Sequence, residues 1–170
     1  MAIDGCPHAF LVLATTQLPR RMQEMRAAIR TPRDMADFAG NGIGLKTLLR
    51  RLAKPQDFPG CYVLLDKQTP IYTGISRGVV GRLIQHVKGK THTDASLAYG
   101  MAERALPHNL SRDNAMRDPR FQAEFHKAQR YLQSLEVAFI EIPDDLELYL
   151  FEVYCSMELD TSKWNTFRTH

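Results

Sequence analysis

The sequence predicts an α+β fold, in which a small antiparallel sheet of three strands is flanked by helices and preceded by a helical extension. Apolar residues recur at helical spacing through residues 1–58, and shorter β-type runs replace that pattern after residue 60. The chain has 170 residues, 44% of them apolar and 24% charged. These values are typical of one soluble globular domain with an appendage.

The predicted N-terminal extension, residues 1–58, contains three helices. Methionines and other apolar residues recur at helical spacing over 22–29, and Pro32 ends that helix. A short helix is predicted over 32–39. After a glycine-containing break, an amphipathic helix is indicated by Leu45, Leu48, Leu49 and Leu52. A linker over 54–60 then leads into the predicted main domain, residues 59–170.

The main domain begins with a predicted hairpin. Five polar or turn residues separate two β-type runs, Cys61–Leu65 and Ile71–Ile75. The third strand is predicted over 135–142, where apolar and polar residues partly alternate.

Helices are predicted to fill the rest of the main domain. A helix that Ser76 could cap carries Val80, Leu83, Ile84 and Val87 on one side. Further helices are predicted over 95–106 and 120–134, with a loop over 107–119 between them. The whole segment 107–134 is interpreted as a helical insertion. The last helix begins at Pro143, followed by two acidic residues that suit its positive dipole end.

Charge is unevenly distributed along the chain, whose formal net charge is +3. Residues 1–58 hold nine Lys and Arg against five Asp and Glu, and residues 76–120 hold eight against four. Residues 121–170 hold four against nine. Basic zones are typical of a face that binds a polyanion, although a mixed solvated surface gives the same pattern. We expect the acidic zone to face away from any DNA.

Cysteine usage and hydropathy exclude several classes of protein. The three cysteines are far apart and form no C-x-x-C motif, which argues against a disulfide framework or a zinc knuckle. No apolar run approaches 18 residues, so we expect no membrane span and no signal peptide. The sequence predicts a protein of the reducing cytoplasm.

Five side chains suggest chemistry. Arg82 and His86 are four residues apart and share a helical face, which is predicted to lie opposite the apolar side of that helix. An Arg and a His presented together suit a phosphate or a developing negative charge, although two solvated surface residues give the same pattern. Glu152 is the only charge in an apolar run, so it is either an exposed side chain or a partly buried carboxylate that needs a cation or metal. Tyr62 and Tyr72 are either packing residues of the hairpin strands or, with a lowered pKa, candidate bases.

The order and spacing of these residues resemble the GIY-YIG endonuclease family. The resemblance rests on Pro59-Gly60-Cys61-Tyr62, Ile71-Tyr72-Thr73-Gly74, Arg82-x-x-x-His86, Glu152 and Trp164-Asn165. It covers residues 59–166, about two-thirds of the chain. Cysteine and threonine replace the isoleucines at the centre of the two tripeptides, and both suit a strand.

The resemblance implies a role for each matching residue. It implies that Tyr62 is the general base for the attacking water and that Tyr72 lies near the scissile phosphate. Arg82 would stabilise charge on the phosphate, and His86 would assist proton removal or orient Tyr62. The remaining implied roles are metal ligand for Glu152 and structural support of the site for Asn165.

The implied function is DNA endonuclease activity with Mg²⁺, or Mn²⁺ in its place. The alternative is a module on the same scaffold that binds nucleic acid without cleaving it. Residues expected to contact DNA are Arg77, Lys88, Lys90 and His92, together with the basic N-terminal helix that carries Arg20, Arg21, Arg26 and Arg30. The sequence leaves open whether the protein also forms a homodimer.

Overall fold

The computed structural model describes residues 3–167 and confirms the mixed α+β class. A 3₁₀ turn (Ile3–Gly5) and a π-helical turn (Leu13–Gln17) accompany the first helices. The helices are α1 (Phe10–Val12), α2 (Leu18–Ile29), α3 (Ala36–Ala39), α4 (Leu45–Arg51), α5 (Val79–Lys88), α6 (Ser96–Ala105), α7 (Arg112–Ala115), α8 (Pro119–Gln133) and α9 (Asp145–Glu158). Within the described residues, no helix has the length and apolar character needed to cross a bilayer.

The sheet has four strands in the described part of the chain, where three were predicted. They are β1 (Arg33–Asp34), β2 (Gly60–Asp66), β3 (Thr69–Ser76) and β4 (Glu136–Glu141), in the spatial order β1-β4-β2-β3. The strand β2 pairs antiparallel with both β3 and β4. The additional strand β1 has two residues, too few to show the alternation that marks a strand in a sequence.

Gly60 allows β2 and β4 to approach each other closely. It pairs with Glu141, and a Cβ atom at this position would collide with the main-chain carbonyl of Ile140. A residue with a side chain would therefore push the two strands apart.

The described residues form two compact units. Unit 1 comprises residues 3–33, 56–79 and 136–167, and unit 2 comprises residues 34–55 and 80–135. This division differs from the predicted boundary at residue 58, because the N-terminal 58 residues are shared between the two units.

The core of unit 1 lies on one face of the sheet. Alternate residues of β2, from Cys61 to Leu65, point to this face and pack against apolar residues of α2 and α9. The contributing side chains include Leu18, Met22, Met25, Leu148, Phe151 and Cys155.

Helix α2, which the sequence marked as basic, is joined to the acidic helix α9 by ion pairs. Arg21 Nε lies 2.7 Å from Oε1 of the buried Glu147, and Arg26 lies 3.0 Å from Glu158. Arg20 lies 3.8 Å from Glu24 within α2. Opposite charges attract, and the two helices pack together within unit 1, so the basic helix and the acidic helix are neighbours. That the acidic zone faces away from DNA stays a prediction.

Unit 2 is built on the packing of α6 against α8. Helix α8 begins at an N-cap, Asp118, whose carboxylate accepts hydrogen bonds from the next turn, and it buries Phe121, Phe125 and Leu132. Lys88 Nζ donates hydrogen bonds to the carbonyls of Gly40 (2.7 Å) and Ile43 (2.8 Å). These bonds attach the glycine-containing loop of unit 2 to α5.

Candidate active site

The two motif tyrosines meet on one face of the hairpin. Tyr62 pairs with Gly74 across β2 and β3, and Tyr72 is two residues from Gly74, so the three residues share a face. The ring centroids of Tyr62 and Tyr72 are 6.2 Å apart. A Cβ atom at residue 74 would lie 2.5 Å from both Cζ and Oη of Tyr62. The Tyr62 hydroxyl therefore occupies the space that a side chain at residue 74 would fill.

Asn165 holds the main chain between these residues. Its Nδ2 donates a hydrogen bond to the Thr73 carbonyl at 2.7 Å, and its Oδ1 accepts one from the Thr73 N–H at 2.9 Å. The Thr73 hydroxyl also lies 3.4 Å from that of Thr161. The Asn165 carboxamide thus pairs with the edge strand β3 as a neighbouring strand would.

Glu152 lies on α9, also in unit 1. Its carboxylate is half-buried, and this burial raises its pKa above the ordinary value of 4.5. Burial raises the pKa of the neighbouring Cys61 thiol, with smaller contributions from Cys155 and from the Glu152 charge. Because α9 packs on the Cys61 face of the sheet, Tyr62 projects from the opposite face.

Arg82 lies on α5, in unit 2, where neutral groups hold its guanidinium. The Nη1 atom donates to the Asp94 carbonyl at 2.8 Å and to Gln85 Oε1 at 3.2 Å. The Nη2 atom donates to the Ser96 hydroxyl at 2.7 Å. These bonds fix the orientation of the guanidinium while leaving its positive charge uncompensated by those partners.

His86 is fully buried, and this corrects the sequence interpretation, which placed it with Arg82 on the face opposite the apolar residues of α5. Its exposed fraction is 0%, as is that of Leu83 three residues earlier on the helix. Burial lowers the pKa of His86 to about 3, with a smaller contribution from the Arg82 charge. The imidazole is therefore neutral at physiological pH.

The four residues predicted to contact DNA have different surroundings. Arg77 is exposed and forms an ion pair with Asp145 at 2.7 Å in unit 1. In unit 2, Lys88 bonds main-chain carbonyls, Lys90 is exposed, and His92 lies 3.5 Å from Asp113. DNA contact by these residues stays a prediction.

Glu152 is the carboxylate that the sequence analysis proposed as the ligand of a metal ion. No group of three or more His, Cys, Asp or Glu side chains suited to a metal occurs among residues 3–167. A single half-buried carboxylate can nevertheless hold a hard cation whose other ligands are waters and substrate phosphate oxygens. Glu152 is a half-buried carboxylate of this kind, and metal binding by it stays a prediction.

The structure thus brings Tyr62, Tyr72 and Asn165 together around β3 in unit 1, with Glu152 on a helix of the same unit. The sequence interpretation missed Thr161 and Ser96, which contact residues 88 and 14 positions away along the chain. A local sequence pattern does not indicate contacts between residues so far apart along the chain.

The chain matches no protein-family model, no curated protein and no solved structure.

Proposed function

We propose that this protein is a divalent-metal-dependent DNA endonuclease of the GIY-YIG type. The observation that carries the proposal is the seating of the Tyr62 hydroxyl over Gly74 beside Tyr72, with Asn165 holding the main chain of Thr73. Two adjacent phenols on paired strands, beside a main chain that Asn165 holds, support the role of positioned acid–base groups that the resemblance implies.

In the proposed mechanism, Tyr62 first loses its phenolic proton to solvent, and the phenolate then accepts a proton from the attacking water. The phenol so formed returns this proton to the leaving oxygen, while Tyr72 orients the phosphate. Arg82, held by neutral partners, stabilises the negative charge that develops on the phosphorus oxygens. The resemblance makes Glu152 the metal ligand, and a metal held there would supply electrostatic stabilisation to the phosphate and the leaving oxygen. Because α9 packs on the sheet face opposite Tyr62, the two side chains would act on one phosphate only where the substrate passes an edge or end of the sheet. His86, with a pKa of about 3, is a weak base and is assigned a positioning role.

The proposal is tested by nicking of supercoiled plasmid with Mg²⁺, with Mn²⁺ and with EDTA. We expect metal-dependent nicking by the wild type and a loss of at least about 10²-fold for Tyr62→Phe, because the phenol oxygen is the proposed base. Tyr149→Phe is the matched control, since Tyr149 is a 65% exposed tyrosine of unit 1. Equal rates for the two variants would contradict the assignment.

One observation favours the non-cleaving alternative. Tyr62 is 1% exposed and His86 is 0% exposed, and a buried base does not reach a substrate without movement of its surroundings. The alternative predicts salt-dependent DNA binding by the wild type with no nicking under any metal condition. A cytoplasmic location and a homodimer stay predictions.

A further inference from the structure

The two units differ in charge. Within the described residues, unit 1 carries eight Lys and Arg against twelve Asp and Glu. Unit 2 carries thirteen against seven, a net charge of +6. A chain whose overall charge is only +3 therefore contains one acidic unit and one strongly basic unit. Such a concentration of positive charge attracts polyanions.

The partners of the basic residues strengthen this difference. In unit 1, carboxylates pair with Arg20, Arg21, Arg26 and Arg77, which neutralises much of their charge. In unit 2, Lys127 pairs with Glu124 at 3.4 Å, whereas Lys88 bonds main-chain carbonyls and Arg112 lies 5.8 Å from the centroid of the Tyr99 ring. The neutral partners of Lys88, Arg112 and Arg82 leave their charges available to a ligand.

Unit 2 also contains a concave site of suitable chemistry. A cavity of about 560 Å³ lies between the C-terminal end of α5 and helix α8. Lys88, the exposed Lys90 and the exposed His126 contribute to its lining, and Phe125 gives it an apolar side. No carboxylate is among its lining residues within the described chain.

The carbonyl groups at the end of α5 would normally repel an anion, because they form the negative end of the helix dipole. Two glutamine side chains of α8 donate hydrogen bonds to carbonyl groups in this region. Gln129 Nε2 donates to the Gly89 carbonyl at 2.7 Å, and Gln133 Nε2 donates to the Val87 carbonyl at 3.1 Å. Two of the carbonyls near this end of the helix therefore have amide donors, and Lys88 and Lys90 give the cavity lining a net positive charge.

We propose that unit 2 carries the DNA-binding surface of this protein and that the cavity between α5 and α8 receives a phosphodiester of the DNA backbone. This inference rests on the proposed function and deepens it. Lys88 and Lys90 supply the positive charge. His126 lies on the α8 side of the cavity, with its Nδ1 atom 3.3 Å from Gln129 Oε1, and unit 1 contributes little to affinity.

The test is fluorescence anisotropy with a labelled DNA duplex at several salt concentrations. Lys90→Glu and His126→Glu each place a carboxylate in the cavity at an exposed position, and Lys67→Glu is the matched control on the β2–β3 turn of unit 1. We expect the cavity variants to weaken binding about tenfold and to lower the salt slope by about one, with the control within twofold of wild type. Thermal unfolding checks that each variant is folded.

Each outcome separates this inference from the proposed function. Cavity variants that bind within twofold of a DNA-binding wild type overturn the cavity site and leave endonuclease activity standing. Equal weakening by Lys67→Glu overturns the assignment to unit 2. A wild type that binds a matched RNA duplex tighter than DNA overturns DNA as the ligand, and one that neither binds nor nicks DNA overturns both proposals.

Discussion

At the scale of single residues, Gly74 determines where the Tyr62 hydroxyl lies. We predict that Gly74→Ala displaces this phenol, because the new Cβ atom would lie 2.5 Å from Tyr62 Oη and 2.9 Å from Tyr72 Cε1. The expected cost is about 1–3 kcal/mol of unfolding free energy, with nicking activity reduced to the level of Tyr62→Phe. Urea unfolding and the plasmid assay measure the two effects.

The control for this variant is Gly100→Ala. Gly100 lies in helix α6 with no atom within 4 Å of an added Cβ, so we expect a gain of about 0.5–1 kcal/mol. If Gly74→Ala is as stable and as active as Gly100→Ala, the space over Gly74 does not constrain Tyr62.

The buried His86 makes stability depend on pH. The unfolded chain protonates this imidazole near its ordinary pKa of 6.5, whereas the folded chain does so only near 3. The unfolded state therefore binds more protons in this window, and the free energy of unfolding falls as the pH drops from 6.5 towards 3. Between pH 7 and pH 5 we expect a loss of about 2 kcal/mol from this group.

Replacing the titrating group isolates its contribution. The variant His86→Gln removes the imidazole, so its unfolding free energy should fall about 2 kcal/mol less than that of the wild type between pH 7 and pH 5. Urea unfolding at several pH values measures both slopes. Parallel pH profiles for the two proteins would show that His86 is not held neutral by the fold.

Residue types could be predicted from the sequence better than residue environments. The family resemblance singled out Tyr62, Tyr72 and Asn165. The structure places the two tyrosines on one face of the hairpin and bonds Asn165 to the main chain of Thr73, while their catalytic roles stay predictions. The burial of His86 could not be predicted, because a histidine at the edge of an apolar helical stripe has the same sequence pattern whether it faces solvent or core. Two neutral partners of Arg82, the Asp94 carbonyl and the Ser96 hydroxyl, come from a later segment, which spacing within α5 does not indicate.

At the scale of elements, the ion pair between Arg21 and Glu147 joins helix α2 to helix α9. Glu147 is 4% exposed, so removal of its partner leaves a buried carboxylate without compensation. We predict that Arg21→Met costs about 3–5 kcal/mol of unfolding free energy, and that Arg21→Met/Glu147→Leu recovers most of this loss. Urea unfolding of the single and double variants measures the difference.

An exposed pair on the same helix supplies the comparison. Arg20 and Glu24 are 3.8 Å apart with more than a third of each side chain exposed, so Arg20→Met should change stability by no more than about 0.5 kcal/mol. A double variant that is no more stable than Arg21→Met would indicate that the arginine acts through its packing and not its charge.

Elements with strong periodicity were predicted closely. The stripe of Val80, Leu83 and Val87 predicted the helix found at Val79–Lys88, and the hairpin strands were found within two residues of their predicted ends. The two-residue strand β1 and the four-residue helix α7 were missed, because neither is long enough to repeat a pattern.

At the scale of the whole molecule, the chain passes from one unit to the other four times along its sequence. Neither unit is a continuous segment, so hydrophobic periodicity and linkers could not define them. The predicted linker over 54–60 lies outside helices and strands except for Gly60, the first residue of β2. It does not separate the units, because each unit contains residues on both sides of it.

This organisation predicts that residues 59–170 do not fold alone. The fragment lacks α2, whose Leu18, Met22 and Met25 are 7%, 3% and 0% exposed, and it also lacks the part of unit 2 before residue 56. Loss of three buried side chains at about 1.5–3 kcal/mol each removes roughly 5–9 kcal/mol, which is comparable to the whole stability of a domain. We expect no cooperative thermal transition for the fragment by near-ultraviolet circular dichroism, and recovery of a transition when a peptide of residues 1–58 is added. A fragment that unfolds cooperatively at the midpoint of the full chain would instead make residues 1–58 a dispensable appendage, as the sequence alone indicated.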